Sequence, residues 1–211
     1  MTGFRTPYLL VVAMLTILAV TALTAVPPPI PRPDAQPAVE LHTVLEKTIF
    51  KVDVLSLDLW LGPATARRLE PWLTRTPSAS LADSLAHIAL RSRDGWARLS
   101  FLRDVSLGRF LDGITANMRQ AVSAGILTDE EYTTVAEGLP PSFAPLNDRG
   151  IKHGDRLFHR INGDTLRTVF QKRDGVVVID QIDVGPERRL AVLGGFFAKG
   201  SDLREGLLAS L

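Results

Sequence analysis

The sequence predicts an α+β fold, an antiparallel sheet covered by helices and preceded by an N-terminal hydrophobic helix. Three observations predict it. From Leu41 onward, apolar alternation with period two comes first, helical periodicity follows, and alternation then returns. Asn162-Gly163 and Asp174-Gly175 are tight-turn dipeptides separating three short alternating runs, the pattern of an antiparallel meander. Finally, Leu107, Phe110, Leu111, Ile114, Met118 and Val122 form one apolar stripe at helical spacing.

The N-terminal element is Tyr8–Val26, 19 residues with no charged side chain, preceded by Arg5. Its length falls between a signal-peptide core and a membrane span of about 20 residues. Ala22 with Val20 suits the −1 and −3 positions of a cleavage site, and Ala25 with Leu23 suits them less well. Residues 1–26 are therefore a signal peptide or a membrane anchor. In either case Arg5 directs the remainder outward across the inner membrane, giving a periplasmic protein that is anchored or released. Residues 27–40 carry Pro27-Pro28-Pro29-Ile30-Pro31-Arg32-Pro33 and Pro37, a semi-rigid spacer.

Residues 41–211 form the folded domain. Within 48–60, Phe50, Val52 and Val54 alternate with polar residues, and so do Leu55, Leu57 and Leu59. The adjacent pair Val54-Leu55 shifts the phase, which predicts a bulge or bend in one long strand. Gly62-Pro63 starts a short helix with Leu69, Trp72 and Leu73 on one face and Pro71 bending or ending it. Ser80–Ser92 is a helix with Ser80 and Asp83 in capping-box register, and Asp94-Gly95 turns into a strand over Trp96–Val105. The striped helix runs from Ser106 to Ala124, capped by Ser106 and stopped by Gly125. Thr128 and Glu131 open the next helix in capping-box register, and Pro140-Pro141 breaks the chain. Strands are expected at 154–161, 165–171 and 176–184, then helices at Pro186–Lys199 and Ser201–Leu211.

Composition narrows function. The 211 residues are 45% hydrophobic and 22% charged, an ordinary globular balance. The absence of cysteine excludes disulfides, thiol nucleophiles and cysteine-ligated zinc. Beyond residue 26 the basic and acidic side chains balance, so the broad positive field required by nucleic acid is missing. Arg67-Arg68 and Arg188-Arg189 read as solvated helix faces. His42, His87, His153 and His159 fall in no metal-ligand spacing, and His159 alternates with Leu157 and Ile161 on a strand face. No phosphate-cradling or dinucleotide motif occurs, so neither a metal nor a cofactor is expected. Gly194-Gly195 and Gly200 fit helix breaks and close packing.

Three stretches, KTIFKVDVLSLDL (Lys47–Leu59), LSFLRDVSLGRFLDGITAN (Leu99–Asn117) and GGFFAKGSDLREGLL (Gly194–Leu208), occur in the order of the chalcone isomerase-like superfamily. The chain resembles its bacterial members over roughly residues 41–211. That resemblance implies a curved antiparallel sheet with helices enclosing a ligand cleft. Plant chalcone isomerases use an arginine and a threonine on early strands, then a tyrosine, a lysine and an asparagine near the main helix. Here Asp53 falls at the threonine position and the arginine position lies near Leu41. Phe110 replaces the tyrosine and Gly113 the lysine, and only Asn117 matches. Cyclising a chalcone needs a stabilised oxyanion and a proton donor, which a phenyl ring and a hydrogen atom do not supply. The fatty-acid-binding relatives use the same arginine and tyrosine for the carboxylate, so an acyl head group here needs other partners.

The candidate ligand-binding residues are Lys51, Asp53, Arg103 and Asn117. Lys51 and Asp53 share one strand face, lining the cleft or forming an exposed pair. Arg103, before the main helix, can reach an anion or tie strand to helix, and Asp104 can place charge near the helix N-terminus. Asn117 sits one position off the stripe, facing cleft or solvent. The leading expectation is a non-catalytic envelope protein binding a small apolar or amphipathic ligand such as an acyl chain. The alternatives are an isomerase or intramolecular lyase of unknown substrate, and a membrane-tethered interaction protein with a vestigial cleft. Binding is preferred over catalysis provided no tyrosine, lysine or arginine reaches a solvent-accessible hollow from elsewhere in the chain.

Overall fold

The computed structural model describes residues 28–47, 52–76 and 78–211. Their six strands, β1 (Val39–Lys47), β2 (Val52–Leu61), β3 (Asp94–Phe101), β4 (Arg156–Asn162), β5 (Thr165–Gln171) and β6 (Val177–Val184), form one curved antiparallel sheet in chain order. Six helices complete the described chain: α1 (Pro63–Leu73), α2 (Ala79–Leu90), α3 (Leu107–Ser123), α4 (Asp129–Phe143), α5 (Pro186–Phe197) and α6 (Arg204–Ala209). The α+β expectation holds. Tyr8–Val26 lies outside the described residues, and no described helix is long and apolar enough to cross a membrane.

The 48–60 pattern places the bulge correctly. Leu45 pairs with Leu55 but Glu46 pairs with Asp53, so Val54 is the extra residue on β2. The strand starting at Val39 was not resolved as a separate element from sequence, because its own alternation (Leu41, Thr43, Leu45) includes a buried threonine. The two meander turns also hold. Gly163 and Gly175 adopt φ of 63° and 90°, the left-handed backbone their positions require.

Three local expectations need correction. Ser78, not Ser80, caps α2, its hydroxyl accepting from the Leu81 amide, while the Ser80 hydroxyl lies 3.1 Å from Ser78 Oγ and the Ser80 carbonyl accepts from the Ser84 hydroxyl. Pro140 and Pro141 lie inside the last turn of α4, which continues to Phe143 and a 3-10 turn at Ala144–Leu146. Burial of Phe143 and Leu146 outweighs the two missing backbone donors there. The third strand ends at Phe101, short of Val105, which makes only an isolated bridge to Ile151.

The sheet has two faces. On the inner face, Leu57, Leu99, Leu157, Phe170 and Ile179 form one row across β2 to β6 and pack beneath the helices. On the outer face, Trp60, Trp96, Phe158 and Val169 cluster with Ile30, whose carbonyl accepts from Trp96 Nε1 at 3.0 Å. α3 and α5 cross closely because Gly194 has no side chain. A β-carbon there would stand 2.8 Å from Ala121 Cβ, which is the close-packing role expected of that glycine pair.

Candidate functional site

Between the inner face of the sheet and α3, α4 and α5 lies a cavity of about 790 Å³. That is within the range typical of small-molecule sites. Its walls are chiefly apolar. Leu99, Phe101 and Leu157 come from the sheet, Phe110 and Ile114 from α3, Leu139 from α4, and Val192 and Phe196 from α5. The bulge in β2 has a direct consequence, since Val54 and its neighbour Leu55 both line the cavity.

The α3 face carries the departures read from the sequence. Phe110 is buried, its ring edge-on to Phe101 and to Phe143 with both centroids 5.4 Å away. Gly113 also lines the cavity, and a β-carbon there would meet nothing within 4 Å. One turn on, Asn117 lines the cavity beside Gly195, and its amide has no hydrogen-bond partner among the described residues. Of its two readings, the cleft-lining one describes where the structure places it.

Arg103 lines the cavity at the β3–α3 connection. It is exposed and makes no ion pair or side-chain hydrogen bond among the described residues, so it does not tie strand to helix. Asp104 sends its carboxylate to the turn at 152–153 instead of to the helix backbone. It accepts from the His153 amide at 2.9 Å and from Lys152 Nζ at 3.0 Å, and these contacts hold it below the usual carboxylate range. Lys51 lies outside the described residues. Asp53 is in β2, but its side chain lies outside them too.

Sequence reasoning missed three groups. Arg109, in the first turn of α3, lines the cavity near Arg103 and likewise has no side-chain partner among the described residues. Arg188 lines it from α5, with its Nε 3.8 Å from Glu187 Oε1. The reading of Arg188-Arg189 as a solvated face is therefore wrong. Arg189 is buried, its Nη1 donating to the carbonyls of Leu90 and Ser92, because α2 packs on α5 at that point. Arg67 and Arg68 are exposed as expected.

The third missed group is a polar row on the sheet. His159, Thr168 and Gln181 pair side by side across β4, β5 and β6, and all three line the cavity. His159 Nδ1 lies 3.1 Å from Thr168 Oγ1, and Gln181 Nε2 donates to Asp183 Oδ2 at 3.2 Å. Burial pushes the His159 imidazole down to about 4, so it is neutral at physiological pH. The sequence signal was partial, because the hairpin turn is Gly163-Asp164 and not Asn162-Gly163, which pairs Asn162 with Thr165 and brings His159 opposite Thr168.

The condition set on binding over catalysis is not met as stated, since Arg103, Arg109 and Arg188 do reach the hollow. What they supply is charge for an anion. Proton transfer needs a group poised near the working pH. The titratable groups of the lining with displaced values, His159 and Asp104, are both displaced away from neutrality.

No family model matches the chain, and no curated protein matches it in sequence. Solved structures do match in fold. A fatty-acid binding protein of Arabidopsis thaliana, AtFAP1, superposes with a TM-score of 0.52 at 10% identity, covering 81% of this chain and 84% of its own. No described cluster of His, Asp or Glu is arranged to hold a metal ion. At that level of identity the likeness speaks for architecture, and the architecture is the chalcone isomerase-like fold to which the three sequence stretches pointed.

Proposed function

We propose that this protein binds a small amphipathic molecule, holding an acyl-type chain in the cavity and an anionic head group at Arg103 and Arg109, without transforming it. The cavity carries the reading, because its interior is apolar, open and large enough for such a chain. A packed interior would have favoured the vestigial-cleft alternative. Two partnerless guanidiniums stand beside the N-terminus of α3, whose dipole also favours negative charge. Asn117 offers an unengaged amide further along the same helix. The fold neighbour named as a fatty-acid binding protein supports the ligand class. Tyr8–Val26 and Arg5 support a site of action outside the inner membrane, with the domain released or tethered there.

Mass spectrometry of organic extracts from natively purified protein tests the reading. A stoichiometric acyl species is expected, and an empty extract together with no heat on titrating palmitic acid overturns it. For the head group, the double variant Arg103→Ala/Arg109→Ala is expected to weaken palmitic acid about tenfold and methyl palmitate hardly at all. That corresponds to about 1.4 kcal/mol, a charge-assisted contact discounted for solvent exposure.

A further inference from the structure

We infer that the row His159–Thr168–Gln181 is a recognition post for an uncharged oxygen on the body of the ligand, so that the cavity selects a mid-chain oxygenated acyl chain over a plain hydrocarbon one. This rests on the binding reading above and names the ligand class within it.

Thr168 is 3% exposed, and the His159 ring nitrogen is its one hydrogen-bond contact among the described residues. A buried hydroxyl gains by directing its proton at an acceptor, and on that ground we assign Thr168 as the donor to Nδ1. The imidazole is then the Nε2–H tautomer. Nε2 has no partner among the described residues, yet it is not among the buried polar atoms sealed off without one. Since His159 lines the cavity, Nε2–H is a donor open to whatever occupies it. The Oε1 atom of Gln181 is likewise unpartnered and open beside it, ready to accept from a hydroxyl.

The post suits a neutral oxygen. The imidazole carries no charge, and Gln181 beside it already donates to the Asp183 carboxylate, whose negative charge disfavours a second anion there. A carboxylate belongs at the other end. His159 pairs with Ala97, four residues along β3 from Phe101, or about 13 Å, and Arg103 lies beyond Phe101. A ligand whose acid meets Arg103 and Arg109 therefore brings the middle of its chain, not its head, to His159.

Calorimetric titration of the full chain with stearic acid and with stearic acid bearing a mid-chain ketone tests the inference. The ketone is expected to bind about tenfold more tightly. His159→Leu is expected to abolish that preference by weakening the ketone more than stearic acid. Thr168→Val, which keeps the volume but removes the hydroxyl that fixes the tautomer, is expected to shrink the preference and carries the test if His159→Leu does not fold. Equal affinity of wild-type protein for both acids overturns the inference and leaves the binding reading standing. A His159→Leu loss shared equally by both acids, or an undiminished preference in Thr168→Val, also overturns it. Failure of both acids to bind overturns the two readings together.

Discussion

Burial of His159 makes the fold acid-sensitive in a defined window. The ring lines the apolar cavity, and desolvation there lowers its pKa to about 4, from an ordinary value of 6.5. Between those values the unfolded chain binds a proton at this position and the folded chain does not, so stability rises with pH there. The contribution is complete above pH 6.5 and is lost as pH falls towards 4. The full gap is worth about 3 kcal/mol, most of which is lost between pH 7 and 4.5. Asp58, Asp104, Asp174 and Asp180 are displaced downward and act at lower pH, chiefly below the ordinary carboxylate value of 3.8. Urea unfolding at pH 7 and 4.5, on wild-type protein and His159→Leu, isolates the effect. The variant is expected to lose about 2–3 kcal/mol less than wild type over that interval. Parallel losses in the two proteins would show that His159 is protonated in the folded state and would refute its desolvation.

Other outcomes follow from the packing. Gly113→Ala is expected to stabilise the protein by about 0.5–1 kcal/mol in thermal melts, because the position is helical and a β-carbon meets nothing there. Gly113→Trp is expected to leave the fold intact but to displace acyl ligand in a fluorescence competition assay, its ring projecting into the cavity. Asp155→Ala is expected to cost about 3–5 kcal/mol by chemical denaturation. The Asp155 side chain is fully buried and accepts from Arg149 and from the amides of Lys152 and Arg173, all of which lose their partner together. Gly194→Val is expected to destabilise by more than 2 kcal/mol, since even a β-carbon there presses on Ala121.

Much of this architecture is legible one residue at a time. Capping residues Ser106 and Thr128 announce α3 and α4, and the double apolar pair at Val54-Leu55 announces the bulge that widens the cavity wall. These signals are local, involving a hydroxyl and an amide three residues apart or a broken alternation. What the sequence could not show is which groups meet across elements. Arg188 and Arg189 are neighbours on one helix with the same chemistry, yet one lines the cavity and the other is buried against α2 carbonyls. The difference is set by where α2 lands on α5, a contact between residues nearly a hundred positions apart. Pro140 and Pro141 misled for a related reason. Local backbone preference argues for a break, and the tertiary burial of Phe143 carries the helix through it.

The two non-matching positions on α3 are better understood as a design than as losses. Phe110 packs edge-on against Phe101 and Phe143 in the wall of the cavity, and these rings offer a phenolic hydroxyl no hydrogen bond. A tyrosine introduced by Phe110→Tyr would bury an unsatisfied hydroxyl against these rings unless it turned into the cavity, and the two cases separate by measurement. The expected result is a loss of about 1–3 kcal/mol in urea unfolding with no isomerase activity gained. A stable variant with tighter carboxylate binding would mean that the ring edge already faces the ligand, and that the head group sits at α3 residue 110 and not at the arginines beside its first turn.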